Sequence, residues 1–120
     1  MSDLGFDAQV TFLYVADLDA SAAFYGDVLG LDLVRDQGAC RIYRTTGDAF
    51  LGVCSHRRPD PGGLIVTLVT DDVDGWAERI RAAGIDVDGP TANEEFEIYH
   101  CFVHDPDGHL VEIQRFTNPL

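Results

Sequence analysis

The chain contains the same segment twice. Val15-Ala16-Asp17, a helix-like run and Gly30-Leu31-Asp32-Leu33 return as Val69-Thr70-Asp71, a second helix-like run and Gly84-Ile85-Asp86-Val87. Val15 to Val69 and Gly30 to Gly84 are both 54 positions apart. A constant offset means that one supersecondary unit is built twice, which confines the chain to folds made of paired modules.

Each copy reads as strand, Asp-rich turn, helix, glycine stop and strand. Val10 to Val15 is β-branched and aromatic, the composition of a pleated strand. Asp17, Asp19 or Ser21 can accept the free N–H groups that open the first helix, and Asp72 or Asp74 those of the second. The run from Ala20 to Leu29 is helical, with Phe24, Val28 and Leu31 as its expected buried side. In the second copy Trp76, Ile80 and Ala83 recur at the spacing of one helical face. Gly30 and Gly84 suit the left-handed position that ends a helix.

Further strands follow each helix. Leu31–Asp36, Cys40–Arg44 and Ala49–Cys54 are expected in the first half; Ile85–Val87, Ile98–His104 and His109–Phe116 in the second. Thr46-Gly47-Asp48 and Asp105-Pro106-Asp107-Gly108 have the residues of tight turns. Arg57 to Gly63, with two prolines and a Gly-Gly pair, reads as a connection. The expected organisation is therefore one domain of two βαβββ modules, residues 1–55 and 64–120, joined by the linker 56–63. The fold class is α+β.

Charge narrows the function. With 21 acidic residues against 8 Lys plus Arg, the net charge is −13, which repels phosphate backbones and anionic lipid. Neither a nucleic-acid nor a membrane partner is expected. Residues 1–7 carry neither a basic region nor an apolar run, so no signal peptide is expected and the chain reads as cytoplasmic. Cys40, Cys54 and Cys101 are odd in number and widely spaced, so free, mostly buried thiols are expected.

The order of these pieces resembles the vicinal oxygen chelate superfamily, the group of glyoxalase I, bleomycin- and fosfomycin-resistance proteins and extradiol dioxygenases. The resemblance is carried by Tyr14 to Tyr25, Val28-Leu29-Gly30-Leu31, Ala82-Ala83-Gly84 and Phe102 to Ile113. It implies strands curled into a cup with helices packed outside, a small organic ligand, and a homodimer. It also implies a metal held at four positions that fall here on Val10, Gly52, Ile65 (or Leu64) and Glu112. Only Glu112 can bind a metal. No metal site is expected, and a divalent ion is disfavoured as cofactor.

Strand alternation assigns the faces. Cys101, Val103, Val111 and Ile113 should pack on the helices, leaving His100, Phe102, Glu112 and Gln114 on the opposite, ligand-facing side. His100 and Gln114 are expected as cross-strand neighbours. Glu112 with His100 has the make-up of a general acid–base pair; the alternative is a carboxylate simply satisfied by its neighbours. In the first half Val10, Phe12 and Tyr14 share one face, as do Phe50, Gly52, Cys54 and His56. Gly52 is expected to leave room for a flat or bulky group; Tyr14 is the expected contact, whereas Phe12 and Phe50 read as core. Cys54 with His56 has the types of a nucleophile and base, with nothing evident to orient the ring. A substitute metal set of His100, Glu112, His56 and Cys54 is a further alternative. His104 and His109 are expected near the surface without a role.

Two functions follow. The favoured one is metal-independent binding of a small molecule, with Tyr14, Gly52, Cys54, His56, Phe102 and Gln114 in contact. The alternative is a lyase- or isomerase-like enzyme using Glu112 and His100.

Overall fold

The structure is a computed structural model that describes residues 4–120. Two compact units divide the chain, the first ending at Asp60 and the second running from Pro61.

In the first unit β1 (Gln9–Tyr14) leads into a helix, after which β2 (Asp32–Asp36), β3 (Cys40–Thr46) and β4 (Ala49–Cys54) follow. The sheet order is β1-β4-β3-β2, with β1 parallel to β4 and the other pairs antiparallel. The second unit repeats the plan. There β5 (Ile65–Val69), helix α2 (Val73–Ala82), β6 (Asp88–Asn93), β7 (Ile98–His104) and β8 (Leu110–Phe116) give the order β5-β8-β7-β6, with β5 parallel to β8. The α+β class and the βαβββ plan of each module are thus as the sequence predicts.

The first helix differs from the expectation. A single α-helical turn, α1 (Leu18–Ser21), runs on as a π-helical stretch, Ala22–Val28. The wider turn brings the Leu29 N–H to the Phe24 carbonyl at 3.0 Å. Widening shifts which side chains face inward. Phe24, Tyr25 and Leu29 are buried, whereas Val28 and Leu31 are only partly covered. Of the candidate caps, Asp17 Oδ1 accepts from the Asp19 N–H at 2.8 Å and the Ala20 N–H at 3.4 Å.

Helix α2 is capped by Asp72, whose Oδ1 accepts from the Gly75 N–H at 2.9 Å. Its buried stripe is Val73, Ala77 and Ile80. Trp76 lies one position off that stripe and is half-buried, with the Arg79 guanidinium 5.1 Å above its ring; Ala83 is exposed. Ile80 is buried as the spacing predicts, whereas Trp76 and Ala83 lie beside the buried stripe, where the smaller Val73 and Ala77 fit against the sheet. Gly30 and Gly84 do end their helices at φ 70° and 83°.

The strand expected at Ile85–Val87 lies later, at Asp88–Asn93. Gly89-Pro90 inside it argues against a strand locally, yet β6 is an edge strand, where proline is tolerated. Leu13, Val15, Tyr43, Leu51 and Val53 join the helix residues in the first core; Ile98, Cys101, Val103, Val111 and Ile113 do so in the second. Among the described residues no helix is long and apolar enough to cross a membrane.

Candidate functional site

In the second module Glu112 lies at the centre of a polar cluster on the sheet face opposite Val111 and Ile113. Antiparallel pairing sets Phe102 opposite Glu112 and His100 opposite Gln114, and parallel pairing sets Thr67 opposite Glu112. Glu112 is 8% exposed. Its Oε1 accepts from the Thr67 hydroxyl at 2.8 Å, and its Oε2 lies 2.6 Å from His100 Nδ1. With the Gln114 amide turned so that its nitrogen faces the carboxylate, that nitrogen stands 2.9 Å from Oε2 and 3.2 Å from Oε1. Three donors thus converge on one carboxylate, the arrangement that suits its ionised form. Against the carboxylate form of Glu112, His100 Nδ1 is the donor of the pair, and in the neutral ring Nε2 is then the acceptor. Phe102 packs against His100 at 4.9 Å between ring centroids. The sequence-predicted group of His100, Phe102, Glu112 and Gln114 is therefore brought together, and Thr67 joins it. No strand alternation could reveal Thr67, because a parallel partner is not tied by a local turn.

The first module exposes a more apolar face. Rows run across its sheet: Val10, Phe50 and Arg44; Phe12, Gly52, Ile42 and Arg35; Tyr14, Cys54 and Cys40. A cleft of about 360 Å³ is lined by Val10, Val34, Ile42 and Phe50, with Arg35 and Arg44 beside them. The Arg44 guanidinium lies 4.9 Å above the Phe50 ring. Arg35, Ile42 and Arg44 were missed in the sequence, although the alternation of β3 would have placed the last two here.

Three expectations need correction. Room above Gly52 is taken by the protein's own flat group, since a Cβ there would run into the Phe12 ring. Phe12 is not core but 50% exposed. Cys40 and Cys54 are not free thiols; they face each other across β3 and β4 and are joined as a disulfide, leaving Cys101 as a free, buried thiol. Held in the disulfide, Cys54 is in this state neither a nucleophile nor a metal ligand. His56 is exposed, edge-on to Tyr14 at 5.6 Å.

His109 is a fourth correction. It is 1% exposed rather than at the surface. Asp105 organises the β7–β8 turn: Oδ1 accepts from the N–H groups of Asp107 and His109 at 2.9 and 2.8 Å, and Oδ2 holds His109 Nδ1 at 2.8 Å. His104 is exposed, as expected.

Two βαβββ modules, each with a mixed four-stranded sheet carrying its helix on one face, define a paired-module α+β protein. The chain belongs to the glyoxalase/bleomycin resistance protein/dioxygenase superfamily, whose model matches residues 8–113. It is 34% identical to a lactoylglutathione lyase of Haemophilus influenzae, the alignment covering 85% of this chain and 87% of that protein. Among solved structures it is similar to TnmS3, an antibiotic binding protein from Streptomyces sp. CB03234, at 26% identity and a TM-score of 0.79 over 96% of this chain and 98% of that one. It is also similar to a lactoylglutathione lyase from Agrobacterium tumefaciens, at 28% identity and a TM-score of 0.75 over 89% and 91% of the two chains.

The metal that the superfamily resemblance implies does not fit the residues present. Val10, Gly52 and Ile65 offer no lone pair, and both oxygens of Glu112 are engaged by Thr67, His100 and Gln114.

Proposed function

We propose that the chain binds a small organic molecule with an apolar body and an anionic end, without using the superfamily's metal positions. The observation that carries this reading is the cleft of the first module, in which Val10, Ile42 and Phe50 lie beside Arg35 and Arg44. Apolar walls with a few placed polar groups are the make-up of small-molecule sites. Two arginines gathered on one face are unusual in a chain with 21 acidic and 8 basic residues; they would hold a carboxylate or a similar anion. Tyr14, on the same face of β1 as Val10, belongs to this reading; Phe102 and Gln114 are proposed contacts of the second module by itself. Half-exposed Phe12, Ile65 and Val69 call for cover by ligand or by a second copy, so a homodimer is part of the proposal.

A thermal-shift screen of the full chain tests it. Ligand at about 100 times its Kd stabilises by about 2.7 kcal/mol, so carboxylates with an aromatic or aliphatic body should raise Tm by several degrees and their neutral amides should not. Arg35→Ala with Arg44→Ala should erase that difference. Equal shifts from acid and amide would reject the anionic part, and no shift from any member would reject the reading.

A second reading, a lyase- or isomerase-like enzyme, draws support from the 2.6 Å approach of His100 to Glu112 and from the names of the lactoylglutathione lyase relatives. Here His100 Nε2 would take the substrate proton while Glu112 holds the ring and balances its charge. Turnover abolished by Glu112→Gln with binding kept would favour this reading over pure binding.

A further inference from the structure

One end of the β3–β4 pair carries a group that lies outside the cleft lined by Val10, Val34, Ile42 and Phe50. Cys40 on β3 and Cys54 on β4 stand directly opposite, with Cα atoms 4.1 Å apart. His56 follows just beyond β4, and its Nδ1 lies 3.9 Å from Cys40 Sγ. The two sulfurs and a ring nitrogen of His56 all lie within 4.8 Å of one another. The imidazole packs edge-on against Tyr14, which is itself opposite Cys54 in the β1–β4 pairing. Cys54 is buried, Cys40 half-buried and His56 exposed, so the group is anchored on one side and open to solvent on the other.

We propose that reduction of the Cys40–Cys54 disulfide turns these three residues into a site for a thiophilic divalent ion of the Zn²⁺ type. Two thiolates and an imidazole match the ligand preference of such ions and of no hard cation. Zn–S bonds of about 2.3 Å and Zn–N bonds of about 2.0 Å in a tetrahedron space the ligand atoms roughly 3.5–3.8 Å apart. The His56–Cys40 separation of 3.9 Å is already close to that, so binding requires chiefly that the sulfurs part by side-chain rotation. A net charge of −13 draws cations to the surface. The fourth position is left to water or a small ligand on the solvent side.

Electrons and protons balance at each step. A dithiol reductant supplies two electrons and two protons to the disulfide and becomes a disulfide itself. The two thiols then release their protons to solvent as the ion binds. In the reverse direction a small-molecule disulfide takes two electrons from the bound thiolates and two protons from solvent and leaves as two thiols; the Cys40–Cys54 bond re-forms and the ion is expelled, so occupancy follows redox state. This site shares no side chain with Arg35, Arg44 or the Glu112 cluster, and it stands or falls apart from the ligand reading. The other His-acid group, Asp105, Asp107 and His109, is a weaker candidate because Asp105 is consumed by its own turn.

Titration of the full chain with Co²⁺ and then Zn²⁺, in its reduced and its oxidised state, tests the proposal. The reduced chain should take up about one Co²⁺ with a sulfur-to-cobalt charge-transfer band, and Zn²⁺ should displace it. The oxidised chain should show no band. Cys40→Ser with Cys54→Ser should abolish the band; His56→Ala should keep it while weakening binding by about tenfold or more, since even groups that merely support a ligand are worth that much. Absence of the band in the reduced wild-type chain, or equal Zn²⁺ affinity in both redox states, would overturn it. Comparing the two redox states needs no substitution, so the test stands even where a variant misfolds.

Discussion

Glu112 and Tyr43 illustrate how single residues are set by what surrounds them. Glu112 lies where the superfamily resemblance expects a metal ligand, yet its oxygens are spent on Thr67, His100 and Gln114. Tyr43 is 2% exposed. Burial raises its phenol above the ordinary 10.0, against the opposing pull of the Arg41 guanidinium. Burial likewise raises the Cys101 thiol above 9.0. Tyr99 is raised by its hydrogen bond to Asp74, with the same sign. The unfolded chain therefore gives up protons near pH 9.0 and 10.0 that the folded chain still holds, and stability must fall as pH rises through that range. The urea midpoint should decline from below pH 9 to above pH 10, and Tyr43→Phe should flatten the upper part of the decline. An unchanged slope in that variant would refute the role given to burial.

At the scale of elements, local propensity and packing disagree in instructive places. Of the face expected for α2 from Trp76, Ile80 and Ala83, Ile80 is buried, and the smaller Val73 and Ala77 complete the stripe in place of the other two. Gly75 shows a conflict of the same kind. Glycine to alanine inside a helix usually gains about 1 kcal/mol. Here a Cβ would run into the Asp72 carboxylate that caps the helix, and such a cap is itself worth about 1 kcal/mol. Gly75→Ala should thus leave Tm unchanged or lower. A melt showing the full propensity gain would mean that the cap is dispensable.

Across the whole molecule the dominant physical fact is charge. A net −13 on 120 residues repels itself. Screening shortens the reach of that repulsion from about 30 Å at 0.01 M salt to about 8 Å at 0.15 M. Tm should therefore rise between these two salt concentrations, most at neutral pH where the carboxylates are ionised. Melting curves in sodium chloride check this, and a flat or falling Tm would show that local pairs, such as Arg41 with Asp19, outweigh the general repulsion.

The repeat, the turn residues and strand alternation were enough to determine two βαβββ modules, the ends of β4 and β7, and the faces of β7 and β8. They placed His100, Phe102, Glu112 and Gln114 together because those residues sit on a hairpin, whose register its own turn dictates. Alternation tells which face a side chain takes but not which strand lies alongside. Thr67 meets Glu112 through a parallel pairing with no short loop to announce it, and the Phe12 ring covers Gly52 for the same reason. Cys40 reaches Cys54 only after the irregularity at Arg44–Thr46 has reset the pairing of β3 with β4. Local periodicity is a property of one segment; neighbours brought in from distant segments exist only once the sheet has formed.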